Sequence, residues 1–251
     1  MRAERSATGP RRGTVRGTGR LVGRVAALLA LLLGVMTGLG LLVTRVLQHT
    51  FPLAQEDGID RLLAARRAPP ATAVSGFLSL VGSTFVIIGV MLAVAVGFRL
   101  VFRRWRESVF LVLAVSAQAL VFLLTTLVIS RQRPAVTKLD VSPPTSSFPS
   151  GHTGASTALY VGVAVVLAWH LRRSRRRWPV VALLVLVPLS VAVARLYRGM
   201  HHPSDVVAAF VNGGLCVLIA ARNVLFAVLP DGLARRLDGG GRHDVAPSLP
   251  E

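Results

Sequence analysis

Apolar runs of about 20 residues, each closed by a short polar segment, recur along the whole 251-residue chain. Wound as a helix at about 1.5 Å per residue, such a run crosses the ~30 Å hydrocarbon core of a bilayer. Six membrane-crossing helices are predicted on this basis, over residues 23–47, 74–98, 108–129, 152–171, 179–197 and 204–229. The runs are too long and too uniformly apolar for barrel strands, which alternate. The expected fold is therefore all-α, a polytopic bundle of six transmembrane helices. Gly34, Gly38, Gly40, Gly89 and Pro188 lie within the runs as places for close packing or a kink.

Composition sharpens the class. The chain is 53% hydrophobic and only 16% charged, where a soluble domain is nearer one quarter charged. Mean hydropathy is +0.61. Three regions follow: a basic N-terminal segment over 1–22, a membrane domain over 23–229, and a tail over 230–251 that reads as disordered around Gly239-Gly240-Gly241. No small-x-small cleavage site follows the first apolar run, so that run is read as a retained span and not as a signal peptide. The loop from Gln48 to Ala73 carries Glu56, Asp57 and Asp60 beside Arg61, Arg66 and Arg67, and is expected to form a short surface helix or flap over a site. Cys216 is the single cysteine and sits in an apolar run, which excludes an internal disulfide and reads as a small buried hydrophobe.

The net charge of +18 would suit nucleic acid, but its distribution does not. Arginines crowd the segment before the first span, the loops between spans two and three and between four and five, and the stretch after the sixth; together they hold 20 of the 29 basic residues. Such an alternation orients a membrane protein. Both termini are accordingly expected in the cytoplasm, with no nucleic acid partner and the bilayer as surroundings. Trp105, Trp169 and Trp178 fall near span ends on the arginine-rich side and read as an aromatic belt. His170 shares that face, and His49 lies on the other without matching any motif.

Three polar clusters lie where spans meet the opposite, extracytoplasmic loops. In Pro149-Ser150-Gly151-His152, Ser150 suits the N-cap of the fourth span, whose free N–H groups and dipole favour an anion. Gly151 lets backbone approach a phosphate oxygen, and His152 is placed to serve a departing ester oxygen. Arg195 ends the fifth span, and His201 and Asp205 flank the start of the sixth at Pro203. Their spacing of four turns the Asp205 carboxylate back toward the His201 imidazole, as a carboxylate orients a nucleophilic histidine. His202, the competing nucleophile, has the poorer spacing. Arg133-Pro134 follows the third span, with a guanidinium able to grip two phosphate oxygens.

These clusters resemble the type 2 phosphatidic acid phosphatase superfamily, whose site design is shared with vanadium haloperoxidases. The family pattern sets a lysine seven residues before Arg-Pro, then Pro-Ser-Gly-His, then Ser-Arg, five residues, His, three residues and Asp. The match covers a motif core of about 126–205, with two departures: Thr126 stands at the lysine position and Ala194 at the serine before Arg195. Arg131, Lys138 and Arg198 are the nearby cations that could replace the lysine. The resemblance implies a multi-pass cell-membrane enzyme needing no metal and no cofactor. Arg133, Ser150, Gly151 and Arg195 would bind the phosphate of a lipid substrate on the extracytoplasmic side. His201, oriented by Asp205, would attack phosphorus to give a phosphohistidine, and His152 would act first as acid and then as base. Opposite protonation of two histidines implies a bell-shaped pH–rate profile. Undecaprenyl-type diphosphates come first among expected substrates and glycerolipid phosphates such as phosphatidate second. Transfer to an acceptor alcohol, and lipid-phosphate binding without turnover, stay open as alternatives. A transporter is disfavoured, since its ionisable groups belong near mid-membrane.

Overall fold

In the computed structural model of the chain, residues 11–48, 50–142, 144–229 and 231–238 are described. Every regular element among them is helical. Helix α1 covers Arg11–Leu41 and runs on as a π-helical stretch over Leu42–Leu47. Two shorter helices follow, α2 over Glu56–Ala65 and α3 over Pro69–Val81. Then come α4 at Thr84–Phe102, α5 at Arg106–Val128, α6 at Gly151–His170, α7 at Arg177–Tyr197, α8 at Pro203–Leu225 and α9 at Asp231–Asp238. Helices α1, α4, α5, α6, α7 and α8 are long and apolar enough to cross a membrane, six in all among the described residues.

Two expectations are corrected. The second span is Thr84–Phe102, not 74–98, because the apolar stretch is two helices broken at Gly82 and Ser83. A Cβ on Gly82 would stand 2.7 Å from Val191 and 3.2 Å from His152, so α7 and α6 press close at the break. Hydropathy registers no such break, since both pieces are apolar. In the tail, Asp231–Asp238 is helical and not disordered. Arg106 holds it with a forked ion pair to Asp238, both N–O distances 2.8 Å, and the Trp105 N–H donates to the Leu237 carbonyl. The tail beyond Asp238, the first ten residues and His49 lie outside the described residues. The 48–73 loop does contain the expected short helix, α2.

The bundle is centred on α5 and α8, which pack on each other; α1 and α6 lean on both, and α4 on α5. One apolar cluster joins Met91 and Phe98 of α4, Phe110 and Leu111 of α5, Leu159 and Val166 of α6 and Val217 of α8. A second joins Leu32 and Met36 of α1 to Ala117, Val121 and Cys216, the cysteine fully buried as its sequence context implied. Small residues allow the closest crossing: a Cβ on Gly213 of α8 would stand 2.7 Å from both the Gly154 carbonyl and Thr157 of α6. Of the glycines marked in the sequence, Gly40 is tightly placed, 2.6 Å from Ile129 by the same measure, whereas Gly34, Gly38 and Gly89 meet open space. Outward positions keep large apolar side chains, Phe85 and Leu127 among them.

Alternating span direction collects the ends at Leu47, Thr84, Val128, Gly151, Tyr197 and Pro203 on one side. The arginine-rich loops gather on the other. There an arginine lies over each tryptophan: Arg99 on Trp105, Arg172 on Trp169 and Arg177 on Trp178, at 5.3, 5.0 and 4.5 Å from the ring centroids. His170 stacks on Phe102 at that end and hydrogen-bonds Glu107.

Candidate active site

At the first of these ends, a cavity of about 710 Å³ opens between α3, α4, α5 and α6. Arg133, Gly151, His152, Arg195 and His201, from all three sequence clusters, line it, and so does Asp140. Around them the wall is apolar, with Leu80, Ile87, Ile88, Val115, Phe122 and Leu123. Arg133, Arg195, His152 and His201 lie close enough for their charges to act on one another.

The two arginines are only partly satisfied. Arg133 donates from Nη1 to the Met200 carbonyl at 2.7 Å, and burial pulls its guanidinium below the ordinary arginine range despite the charge of Asp205. Arg195 is buried, with Nη1 donating to Ser79 at 2.7 Å and to Asp140 at 2.5 Å. The Nε of each is buried and has no hydrogen-bond partner among the described residues. A buried donor left unpaired costs about 1–3 kcal/mol, more when charged. Two such donors on cationic side chains around one cavity describe a seat for an anion.

His201 is held from behind. Its Nδ1 lies 2.8 Å from the carbonyl oxygen of Ser147. A carbonyl has no hydrogen to give, so Nδ1 carries the proton and Nε2 keeps its lone pair. Burial pushes the imidazole below its ordinary value of 6.5, a pull that the neighbouring Asp205 charge does not offset, so the ring is neutral at pH 7. The expected direct hydrogen bond to Asp205 is absent. Its Oδ2 lies 3.8 Å from Nδ1, and the Ser147 carbonyl takes the orienting role. Asp205 itself is fully buried and ties the loops together, accepting from Ser147 Oγ at 2.5 Å, from the His202 N–H at 2.9 Å and from Arg131.

Helix α2 closes this side. Glu56 accepts from Arg131 and from the Ser204 N–H, both at 2.7 Å, and Asp60 pairs with His202 Nδ1 at 2.8 Å. Burial lowers His202, but the hydrogen bond its ring donates to Asp60 and the charges of Asp205 and Asp60 outweigh it and hold the ring above 6.5. His202 is thus committed to α2 and not to the cavity. Asp57, Asp60 and His202 are the described group that could gather a metal, with ligand atoms within 4.8 Å of one another, although the His202 nitrogen already engages Asp60.

Other predicted residues fall differently. Ser150 occupies the N-cap position of α6, yet its hydroxyl is buried against Thr153 Oγ1 at 3.0 Å and does not line the cavity. Its N–H donates to the Asp205 carbonyl at 3.1 Å, joining two of the clusters. Gly151 makes room for a neighbouring ring, since a Cβ there would stand 2.9 Å from Phe122. Thr126, at the lysine position, returns its hydroxyl to Leu123 of its own helix. None of the suggested substitutes lines the cavity. Arg131 is bound to Glu56 and Asp205, Arg198 to Asp140 and Ser75, and Lys138 is exposed.

Asp140, Ser79 and Ser147 were not anticipated. Asp140 offered one signal, as the only acid between Glu107 and Asp205. Toward His201, Ser147 acts through its backbone carbonyl, which leaves no mark in a sequence.

Known proteins agree with this architecture. No curated protein matches the sequence significantly. The transmembrane PAP2-type phosphatidylglycerolphosphate phosphatase of Bacillus subtilis superposes with a TM-score of 0.65 at 22% identity, over 76% of this chain and 92% of that one. LpxE of Aquifex aeolicus superposes at 0.51 with 23% identity, over 65% and 92%. At the level of sequence, the family model of the PAP2 superfamily matches residues 107–228, which run from α5 through α8 and contain all three clusters. With six apolar helices around that core, the chain is a multi-pass membrane protein whose residues 107–228 match the PAP2 superfamily model.

Proposed function

We propose that the protein is a lipid phosphatase, hydrolysing the phosphomonoester or diphosphate of a membrane lipid. The observation that carries this reading is the pair of buried, unpaired Nε groups of Arg133 and Arg195 in a cavity shared with His152 and His201. The match of residues 107–228 to the PAP2 superfamily model and the similarity in fold to a phosphatidylglycerolphosphate phosphatase support it. An apolar wall beside the cationic seat suits a lipid, whose tail lies along Ile87, Phe122 and Leu123 while its phosphate reaches the arginines.

In the proposed reaction, Arg133, Arg195 and the Gly151 N–H hold the equatorial oxygens, where transition-state charge develops. His201 Nε2 attacks phosphorus as the bond to the leaving oxygen breaks, and the protonated His152 donates to that oxygen. Phosphohistidine forms and the dephosphorylated lipid leaves. His152 then takes a proton from water, whose oxygen attacks phosphorus and releases inorganic phosphate. No step calls on a metal. By the distribution of arginines, the cavity faces the extracytoplasmic side and both termini are cytoplasmic. Undecaprenyl-type diphosphate is the first substrate to test, and phosphatidate-like lipids the second.

Phosphate release from a panel of lipid phosphates in the presence of EDTA tests the activity. His201→Ala is expected to remove it and also the acid-labile ³²P label on wild-type protein. Unchanged release by purified His201→Ala protein rejects the nucleophile. Added alcohol distinguishes hydrolysis from phosphotransfer, because a transferase diverts phosphate to the alcohol.

A further inference from the structure

At the opposite end of the bundle, α1 and α8 enclose a second groove of about 290 Å³. Its wall is apolar, with Leu28 and Leu31 from α1 facing Leu218 from α8. Arg24 and Arg222, on these antiparallel neighbours, lie at the arginine-rich end, and neither guanidinium has an acid or hydrogen-bond partner among the described residues. Asn223 stands beside them, only 2% exposed. Its Nδ2 donates to the Ile219 carbonyl at 2.8 Å, while its Oδ1 is buried without a partner among the described residues. Two free cations and one unused acceptor, set above an apolar trough in a membrane protein, specify a ligand with an anionic group, a donor and a hydrocarbon chain.

We infer that this groove binds an anionic glycerophospholipid bearing a headgroup hydroxyl. Its phosphate sits between Arg24 and Arg222, the hydroxyl donates to Asn223 Oδ1, and one acyl chain follows Leu28, Leu31 and Leu218. A choline headgroup lacks the hydroxyl and cancels the phosphate charge, so it meets only the apolar wall. The inference does not depend on the catalytic reading, because no residue of the groove belongs to the cavity on the other face.

The test uses the full-length protein in neutral detergent with phosphatidylglycerol, phosphatidylcholine of the same chains, or inorganic phosphate. Native mass spectrometry reads lipid retention and thermal unfolding reads stabilisation. Phosphatidylglycerol is expected to be retained and to raise Tm, with the other two showing neither effect. Arg24→Gln and Arg222→Gln each weaken its retention about fivefold, and Asn223→Leu narrows the preference over phosphatidylcholine. All three variants should keep the wild-type Tm without lipid. Equal retention of phosphatidylcholine, full retention by the double arginine variant, or equal stabilisation by inorganic phosphate would each overturn the inference.

Discussion

The carboxylate of Asp140 accepts a hydrogen bond from Arg195 at 2.5 Å through one oxygen and two from Arg198, at 2.9 and 2.6 Å, through the other. Ser79 of α3 braces the arrangement, donating to Asp140 at 3.3 Å and accepting from Arg195. A single acid on the cavity wall therefore aims the guanidinium that lies beside the proposed anion seat.

Asp140→Asn keeps the shape and removes the charge. A hydrogen bond to a charged partner contributes about 1.5–3 kcal/mol, so kcat/KM is expected to fall about 10- to 100-fold. The pH dependence has a definite sign. Burial raises the Asp140 carboxyl, but the hydrogen bond from Arg198 and the charges of Arg195 and Arg198 outweigh it and hold it below its ordinary 3.8. The stabilisation is complete above that value and fades as pH falls through the lower folded value. The difference in Tm between wild type and Asp140→Asn should thus be full at pH 7 and shrink below about pH 4.

Asp205 has no exposure and three donors, which makes it a structural residue as well as a neighbour of His201. Asp205→Asn removes one of the two carboxylates that hold Arg131, Glu56 remaining, and is expected to cost about 1.5–3 kcal/mol in chemical unfolding. Ser147→Ala leaves one carboxylate oxygen short of a donor and should cost about 1–3 kcal/mol. The double variant should lose less than the sum, because both changes break one network. A wild-type unfolding midpoint for Asp205→Asn would leave Asp205 a purely chemical role.

On its acid side, activity should persist below pH 6.5. As the proposed nucleophile, His201 must be unprotonated at Nε2, and burial places its transition below 6.5. The acid limb of log kcat/KM is expected to bend below that value. A bend at or above pH 6.5 would assign the limb to another group, and His202, raised by Asp60, is the group to examine next.

Thr126→Lys restores the cation of the family pattern. Position 126 follows Phe122 by one helical turn, and Phe122 lines the cavity. A lysine there should lower KM about tenfold for a lipid phosphate, as expected of one charge-assisted contact, without lowering kcat. An unchanged KM would show that the cradle is complete without it.

Much of this was legible because lipid imposes simple rules. The six spans, their alternating charge and the polar clusters at their ends follow from hydropathy and spacing alone. Where the reading failed, the cause was packing that hydropathy does not register. The break at Gly82-Ser83 reflects the approach of Val191 and His152. Ser150 carries every mark of a phosphate-facing cap, but its hydroxyl is taken by Thr153, a neighbour three residues on. The carbonyl that orients His201 comes from residue 147, and any amino acid would supply one. Asp140 was visible as a lone acid and was passed over because no motif contained it.

All three tryptophans, each under an arginine, stand at the end away from the cavity. Belts of this kind fix depth. The tryptophans therefore fix depth at the far leaflet, and the height of the rim bearing Arg133 and His201 varies with bilayer thickness. A thinner membrane lifts that rim toward the headgroups and a thicker one sinks it, so the lipid environment sets how readily a substrate reaches the mouth.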